Sequence, residues 1–232
     1  MANSAGRNHG QWVVAMAACT LLGVMAATAV NDAGVLFRDT FKGKLGEGWK
    51  WVRDDAKRWR VGDHGLEVCI HPGNMWGPAN DAKNVLVRVA PDAGGKPLEV
   101  TAAVENHPTN QWEQVDLCWY YDDGNMVKVG EELVDGKLSV VMGREENDRA
   151  RTISITPLDS ETLQLRFVVT GDRIRGSFKT PKGEWRDVGE CDLPAEAGAK
   201  GKPAQISLQF YRGPEDAEHW ARVSEFTIRR GE

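Results

Sequence analysis

Between residues 98 and 210 the chain repeatedly sets apolar and polar side chains at alternate positions, and Gly, Pro, Asn or Asp clusters interrupt it every eight to twelve residues. The runs Leu98-Glu99-Val100-Thr101-Ala102-Ala103-Val104, Leu163-Gln164-Leu165-Arg166-Phe167 and Ile206-Ser207-Leu208-Gln209-Phe210 all read this way. Successive strand residues point to opposite faces, so a period of two fits half-buried strands and is incompatible with a helical stripe. The nearest helical candidate, residues 193–199, contains Pro194 and Gly198 and is followed by Gly201 and Pro203, which predicts a loop. Hairpin turns are predicted at Asp122-Asp123-Gly124-Asn125, Val134-Asp135-Gly136-Lys137, Thr170-Gly171-Asp172-Arg173 and Pro181-Lys182-Gly183-Glu184. Asp-Gly pairs tolerate the positive φ of tight turns. Residues 113–189 therefore read as one meander of antiparallel strands, and the chain as an all-β sandwich or barrel.

The first 29 residues differ from the rest. They carry one charged side chain, Arg7, then an apolar run from Trp12 to Val24 and the small residues Ala27-Thr28-Ala29. That pattern predicts a signal peptide over 1–29, a secreted or periplasmic protein, and a single domain over 30–232. Membrane attachment is expected only if the leader stays uncleaved. Beyond the leader, 28 Lys and Arg face 34 Asp and Glu. This acidic balance argues against nucleic acid as a partner. Three cysteines remain, Cys69, Cys118 and Cys191, so at most one internal disulfide can form. Cys69 and Cys118 lie in strand-like runs and read as small buried hydrophobes.

Alternation also sorts the middle strands into faces. Val115, Leu117, Trp119 and Tyr121 share one side and are assigned to the core, while Gln114, Asp116, Cys118 and Tyr120 share the other. On the next strand Lys128, Gly130 and Glu132 alternate with Val127, Val129 and Glu131. The Asp122–Asn125 turn makes these strands neighbours, so Gln114, Asp116, Tyr120, Lys128 and Glu132 are expected to line one polar patch. Amide, carboxylate, ammonium and phenol groups suit sugar hydroxyls, and aromatic rings stack on the apolar faces of pyranoses. Trp76, in the loop from Pro72 to Pro78, and Trp112, just before the Gln114 strand, are candidate platforms. A solvated outer face, or a tryptophan sealing the sandwich end, accounts for the same residues.

Two stretches carry a family resemblance. Phe37-Arg38-Asp39-Thr40-Phe41, Trp49-Lys50-Trp51-Val52, Trp59, Gly65-Leu66, Trp76-Gly77-Pro78 and Asn84-Val85-Leu86-Val87-Arg88 form the first. It resembles the opening of the concanavalin A-like module at the C-terminus of xylosidase-type glycoside hydrolases. Gln114 to Leu117, Tyr120 to Asp123, Asn125, Val127-Lys128, Gly130, Glu132 and Asp135 to Val141 form the second. It resembles domain of unknown function 1349, labelled "regulation of enolase". The resemblance implies a two-sheet antiparallel jelly-roll sandwich of the concanavalin A-like lectin/glucanase type with one concave face. It also implies a structural calcium ion near Asp39 and the closing strand, and it supplies no agreed chemistry.

The leading expectation is a non-catalytic protein that binds a carbohydrate or glycan through this face, with no cofactor. Glycoside hydrolysis needs two carboxyl groups flanking the scissile bond, and Asp116 with Glu132 is the pair the face assignment brings together. The Glu-x-Asp-x-(x)-Glu array of retaining glucanases of this architecture is absent, because Glu113 and Asp116 have opposite parity. An envelope protein-interaction module is a third reading. Glu67, Cys69 and His71 share a strand face, with His64 or His107 as further donors, but structural zinc sites favour paired short spacings. No metal site is expected there. The four histidines beyond the leader are expected on the surface.

Overall fold

The computed structural model describes residues 1–2, 34–195 and 201–231, so nearly all of the expected leader, and the end of the loop expected over 193–199, lie outside the described residues. Among the described residues, fifteen strands form two antiparallel sheets. The first sheet runs in the order β10 (Arg149–Pro157), β9 (Lys137–Glu146), β8 (Asn125–Val134), β7 (Gln114–Asp122), β14 (Gln205–Tyr211), β5 (Val85–Val89), β2 (Lys50–Val52). The second runs β13 (Arg186–Asp192), β12 (Arg173–Lys179), β11 (Thr162–Thr170), β6 (Leu98–Glu105), β15 (Trp220–Arg230), β4 (Gly65–Cys69), β3 (Trp59–Gly62). The eleven residues of β15 are long enough to pair with β6 on one side and, on the other, with β4 and then β1 (Val35–Asp39). This is a jelly-roll sandwich, as expected.

Alternation delivers the core. Val115, Leu117 and Trp119 of β7 and Val127 and Val129 of β8 share one cluster with Val100, Ala102 and Val104 of β6 and Leu165 and Phe167 of β11. Trp119 meets Phe167 edge to face across the sandwich at 6.1 Å between centroids, a geometry worth about 0.5–1.5 kcal/mol beyond the area it buries. Asp135 (φ 49°) and Gly136 (φ 70°) both hold left-handed backbone, as a two-residue hairpin between β8 and β9 requires. All three described cysteines are buried and unpaired.

One expectation fails. The meander over 113–189 is two meanders, because the chain leaves β10 through residues 158–161 and enters β11 in the opposite sheet. Leu158, Asp159, Ser160 and Glu161 have the composition of a hairpin turn, and that composition serves a crossing between sheets equally well. Which one forms is decided by where the next apolar stripe finds a face to cover.

The segment between β4 and β5 positions the site. It folds over the outer face of the first sheet, where Met75 and Ala82 join Val85, Val87, Cys118, Tyr120, Met126 and Tyr211 in a second, smaller apolar cluster. Arg53 holds it down, donating to the Ala82 carbonyl at 2.6 Å while pairing with Asp123 at 2.6 Å. Every residue of β7 from Gln114 to Tyr120 is therefore buried.

Candidate functional site

What the covering segment leaves open is a cleft of about 370 Å³ over β7–β10, within the size range of small-ligand sites. Its floor follows from register. Gln114 stands opposite Glu132, Asp116 opposite Gly130 and Cys118 opposite Lys128. A Cβ on Gly130 would lie 1.7 Å from Asp116 Oδ1, so only glycine lets that carboxylate rest against β8. The Lys128 ammonium donates to Gln114 Oε1 and, at 3.0 Å, to Glu132 Oε2, and it lies 3.8 Å from Asp116 Oδ1. Gln114 donates its amide N–H to the Trp112 carbonyl at 2.8 Å. Both ends of Gln114 are thereby fixed.

Two tryptophans make the walls. Trp76 lies against Gly143, where a Cβ would approach its Cη2 to 2.4 Å, and its ring is 4.9 Å from the Lys128 ammonium. Asn74 closes on the Trp76 backbone twice, donating to its carbonyl at 2.8 Å and accepting its N–H at 3.1 Å. Glu145 accepts the Gly77 N–H at 3.1 Å. Trp112 also lines the cleft and is 48% exposed. Replacing Gly143 with Ala is expected to push Trp76 off the sheet and cost about 1–3 kcal/mol. Urea unfolding together with near-ultraviolet circular dichroism reads both effects, and an unchanged tryptophan spectrum would contradict the packing.

The far wall comes from the edge strand β10. Thr152 and Ile155 both line the cleft although their odd spacing should send them to opposite faces. A register shift between Thr152 and Ser154 sets Thr152 against Gly143 and Ile155 against Val141, restoring a common face. This is the re-aiming that a bulge at a sheet edge provides.

Electrostatics separates the floor from the layer beneath it. Burial pushes the Asp116 carboxyl up to about 6, against the opposing pull of Lys128. The Tyr211 hydroxyl sits near enough to lower that value, yet neither it nor either Asp116 oxygen achieves good hydrogen-bond geometry. Burial alone would lower the Lys128 ammonium, but Asp116 and Glu132 outweigh it and the net shift is upward. Under Trp76, burial lifts Glu145 to about 7 despite the Gly77 N–H it accepts.

The expected site residues thus divide. Trp76, Trp112, Gln114, Lys128 and Glu132 line the cleft. Asp116 and Tyr120 lie on the expected face but not in the cleft wall. Asp116 is fully buried behind Lys128, and Tyr120 is under the covering segment, donating to Asp123 at 2.7 Å. The Asp116–Glu132 pair therefore does not flank the cleft. Lys128 is 2% exposed and is a structural member of the floor as well as a lining group. Asn74, Val134, Val141, Thr152, Ile155 and Arg212 complete the lining without having been expected from the sequence. The in-strand glycines Gly130 and Gly143 were the available signal, since glycine inside a strand marks close approach.

The other candidates disperse. Glu67 pairs with Arg60 at 2.5 Å, the Cys69 sulfur accepts from Arg58 at 3.1 Å, and His71 faces Asp55 at 3.6 Å. Asp39 accepts the Phe41 and Gly46 N–H groups and the Trp49 indole N–H. His64 and His107 are exposed, but His71 and His219 are partly buried, His219 3.1 Å from the buried Glu113.

No protein-family model and no curated protein matches the chain. Solved structures do. The GH43 protein BlXynB from Bacillus licheniformis is 18% identical with a TM-score of 0.73, over 84% of this chain and 39% of that one. Xylan beta-1,4-xylosidase from Bacillus halodurans C-125 is 16% identical with a TM-score of 0.68, over 83% of this chain and 39% of that one. The CBM2 module of the Lactobacillus casei BL23 phage J-1 evolved Dit is 7% identical with a TM-score of 0.57, over 86% of this chain and 97% of that one. The chain thus spans about two fifths of the length of these GH43 structures. At such identities the likeness shows the fold alone, a β-sandwich like those found in glycoside hydrolase-type proteins.

Proposed function

We propose that this protein is an exported carbohydrate-binding module without hydrolytic activity, and that a short stretch of glycan lies in the cleft between Trp76 and Trp112. The observation that supports it most is that an exposed Trp112 and a fixed Trp76 line one cleft together with the hydrogen-bonding groups of Gln114, Lys128 and Glu132. A single exposed apolar side chain is ordinary, but exposed apolar residues gathered in one groove with a polar surround mark a ligand site. Of the large hydrophobic residues strongly exposed among the described residues, Trp112 and Ile155 both line this cleft. The outward side chains of the hairpin that resembles domain of unknown function 1349 supply the floor. The xylan beta-1,4-xylosidase and the CBM2 module among the structural neighbours agree with a sugar ligand.

Binding is favoured over cleavage because one carboxylate, Glu132, lines the cleft, and it is tied to Lys128. An acid and a base on opposite sides of a glycosidic bond need two. Affinity electrophoresis on a panel of plant and microbial polysaccharides tests the reading. Wild type is expected to be retarded by at least one polymer. Trp112→Ala, whose side chain is half exposed, is expected to keep the fold and lose about tenfold or more in affinity. No retardation by any polymer, or retardation indifferent to Trp112, would overturn the reading. Release of sugar from the bound polymer, abolished by Glu132→Gln, would replace it with hydrolysis.

A further inference from the structure

We infer that the glycan is acidic, with a carboxylate of the uronic acid type bound by Arg212 at the cleft rim and neutral hydroxyls turned toward Gln114 and Glu132. This rests on the carbohydrate-binding reading above and adds the class of ligand.

Arg212 lines the cleft and has no ion-pair partner among the described residues, whereas Arg53, Arg144, Arg166 and Arg222 each face a carboxylate within 3.5 Å. Its guanidinium lies 5.4 Å from the Trp112 ring centroid, so ring and cation present one combined surface. The backbone under that surface is held in an unusual state. Arg212 (φ 64°) and Trp112 (φ 66°) both occupy the left-handed region, which costs a non-glycine residue on the order of 1 kcal/mol or more. Asn110 joins them, its side-chain N–H donating to the Arg212 carbonyl at 2.9 Å, and the Arg212 N–H donates to the Gly73 carbonyl at 3.0 Å. An unpaired guanidinium on a preorganised support suits a planar anion, because a carboxylate can accept two parallel N–H bonds from it.

The rest of the cleft fixes where that anion goes. Glu132 in the floor and Asp116 buried behind it both face the single ammonium of Lys128, and the buried Glu145 accepts the Gly77 N–H next to Trp76. A further negative charge pressed deep among these groups would be repelled. Hydroxyl donors are accepted there, so the ligand's carboxylate belongs at the rim. The chain as a whole carries −5, so a local cation favours the approach of an acidic polymer to this spot over the rest of the surface.

The test compares de-esterified polygalacturonate and glucuronoxylan, each beside its own carboxyl-reduced form, by affinity electrophoresis and calorimetry. At least one acidic polymer is expected to bind about tenfold or more tightly than its reduced form. Arg212→Gln is expected to collapse that ratio toward one, and Arg212→Lys to retain part of it. Circular dichroism and thermal unfolding verify that each variant is folded. Equal binding of acidic and reduced forms, or a ratio untouched by Arg212→Gln, overturns the inference while carbohydrate binding stands. Absence of binding to these polymers and to every neutral polysaccharide removes both.

Discussion

Replacing Lys128 with Met is expected to destabilise the protein by about 3–5 kcal/mol at pH 7, a loss characteristic of removing one partner of a buried ion pair. The ammonium is the charged donor between Gln114, Glu132 and a fully buried Asp116. Without it Glu132, at the cleft wall, can turn to water, but Asp116 is enclosed by β8 and by the Tyr211 ring side of the covering cluster. Asp116 then folds only after taking up a proton. The deficit should therefore be smaller at pH 5 than at pH 8. Adding Asp116→Asn to Lys128→Met is expected to recover a large part of the loss, because it removes the charge that was left alone. Urea unfolding of the two single variants and the double variant, read as a thermodynamic cycle, gives a coupling of one to a few kcal/mol if the charges sense each other as drawn. Additive losses would mean that Lys128 and Asp116 do not share this site. The same result bears on function, since loss of ligand binding in a Lys128 variant would report a damaged floor before it reported a lost contact.

Strand parity made the two faces of the β7–β8 hairpin legible. Val115, Leu117 and Trp119 were assignable to the core and Gln114, Asp116 and Cys118 to the other side because side-chain direction in a strand is a local property. Burial on that other side was not legible. It depends on residues 70–84, which have no periodicity of their own and are held by contacts far away in sequence: Arg53 to Ala82 and Asp123, Gly77 to Glu145, and Trp76 on Gly143. Half of the polar face was thereby turned into a second core, and Tyr120 and Asp116 went with it. The contribution of β10 was hidden for a related reason. A bulge moves Ile155 to the face of Thr152, and nothing in Thr152-Ile153-Ser154-Ile155 announces it. Arg212 escaped notice because its importance lies in having no opposing charge beside it among the described residues, which only the assembled neighbours reveal.

Glu131 offers the second large effect, on the opposite face of β8 from the floor residues Lys128 and Glu132. Alternation sets it with Val127 and Val129, and the structure buries it completely on that side, with neither oxygen bonded among the described residues. Burial first, and then the charges of Glu161 and Glu113, push its carboxyl from the ordinary 4.5 up to about 9. The sign follows directly. The folded protein keeps Glu131 protonated while the unfolded chain releases that proton above pH 4.5, so the unfolded state binds fewer protons and stability falls as pH rises toward 9. At roughly 1.4 kcal/mol per unit, the loss is on the order of 6 kcal/mol over the whole window and about 4 kcal/mol between pH 5 and 8. Glu131→Gln keeps the shape and removes the proton. It is expected to unfold at a higher urea concentration than wild type at pH 8, with the advantage fading steadily toward pH 5. Asp116 and Glu145 titrate in both proteins and add a common slope, and any fixed cost of fitting the amide beside Asn106 is independent of pH. The difference between the two stability curves therefore isolates Glu131. A difference that stays constant between pH 5 and 9 would show that the carboxyl ionises normally, through water reaching it or a partner the packing does not provide.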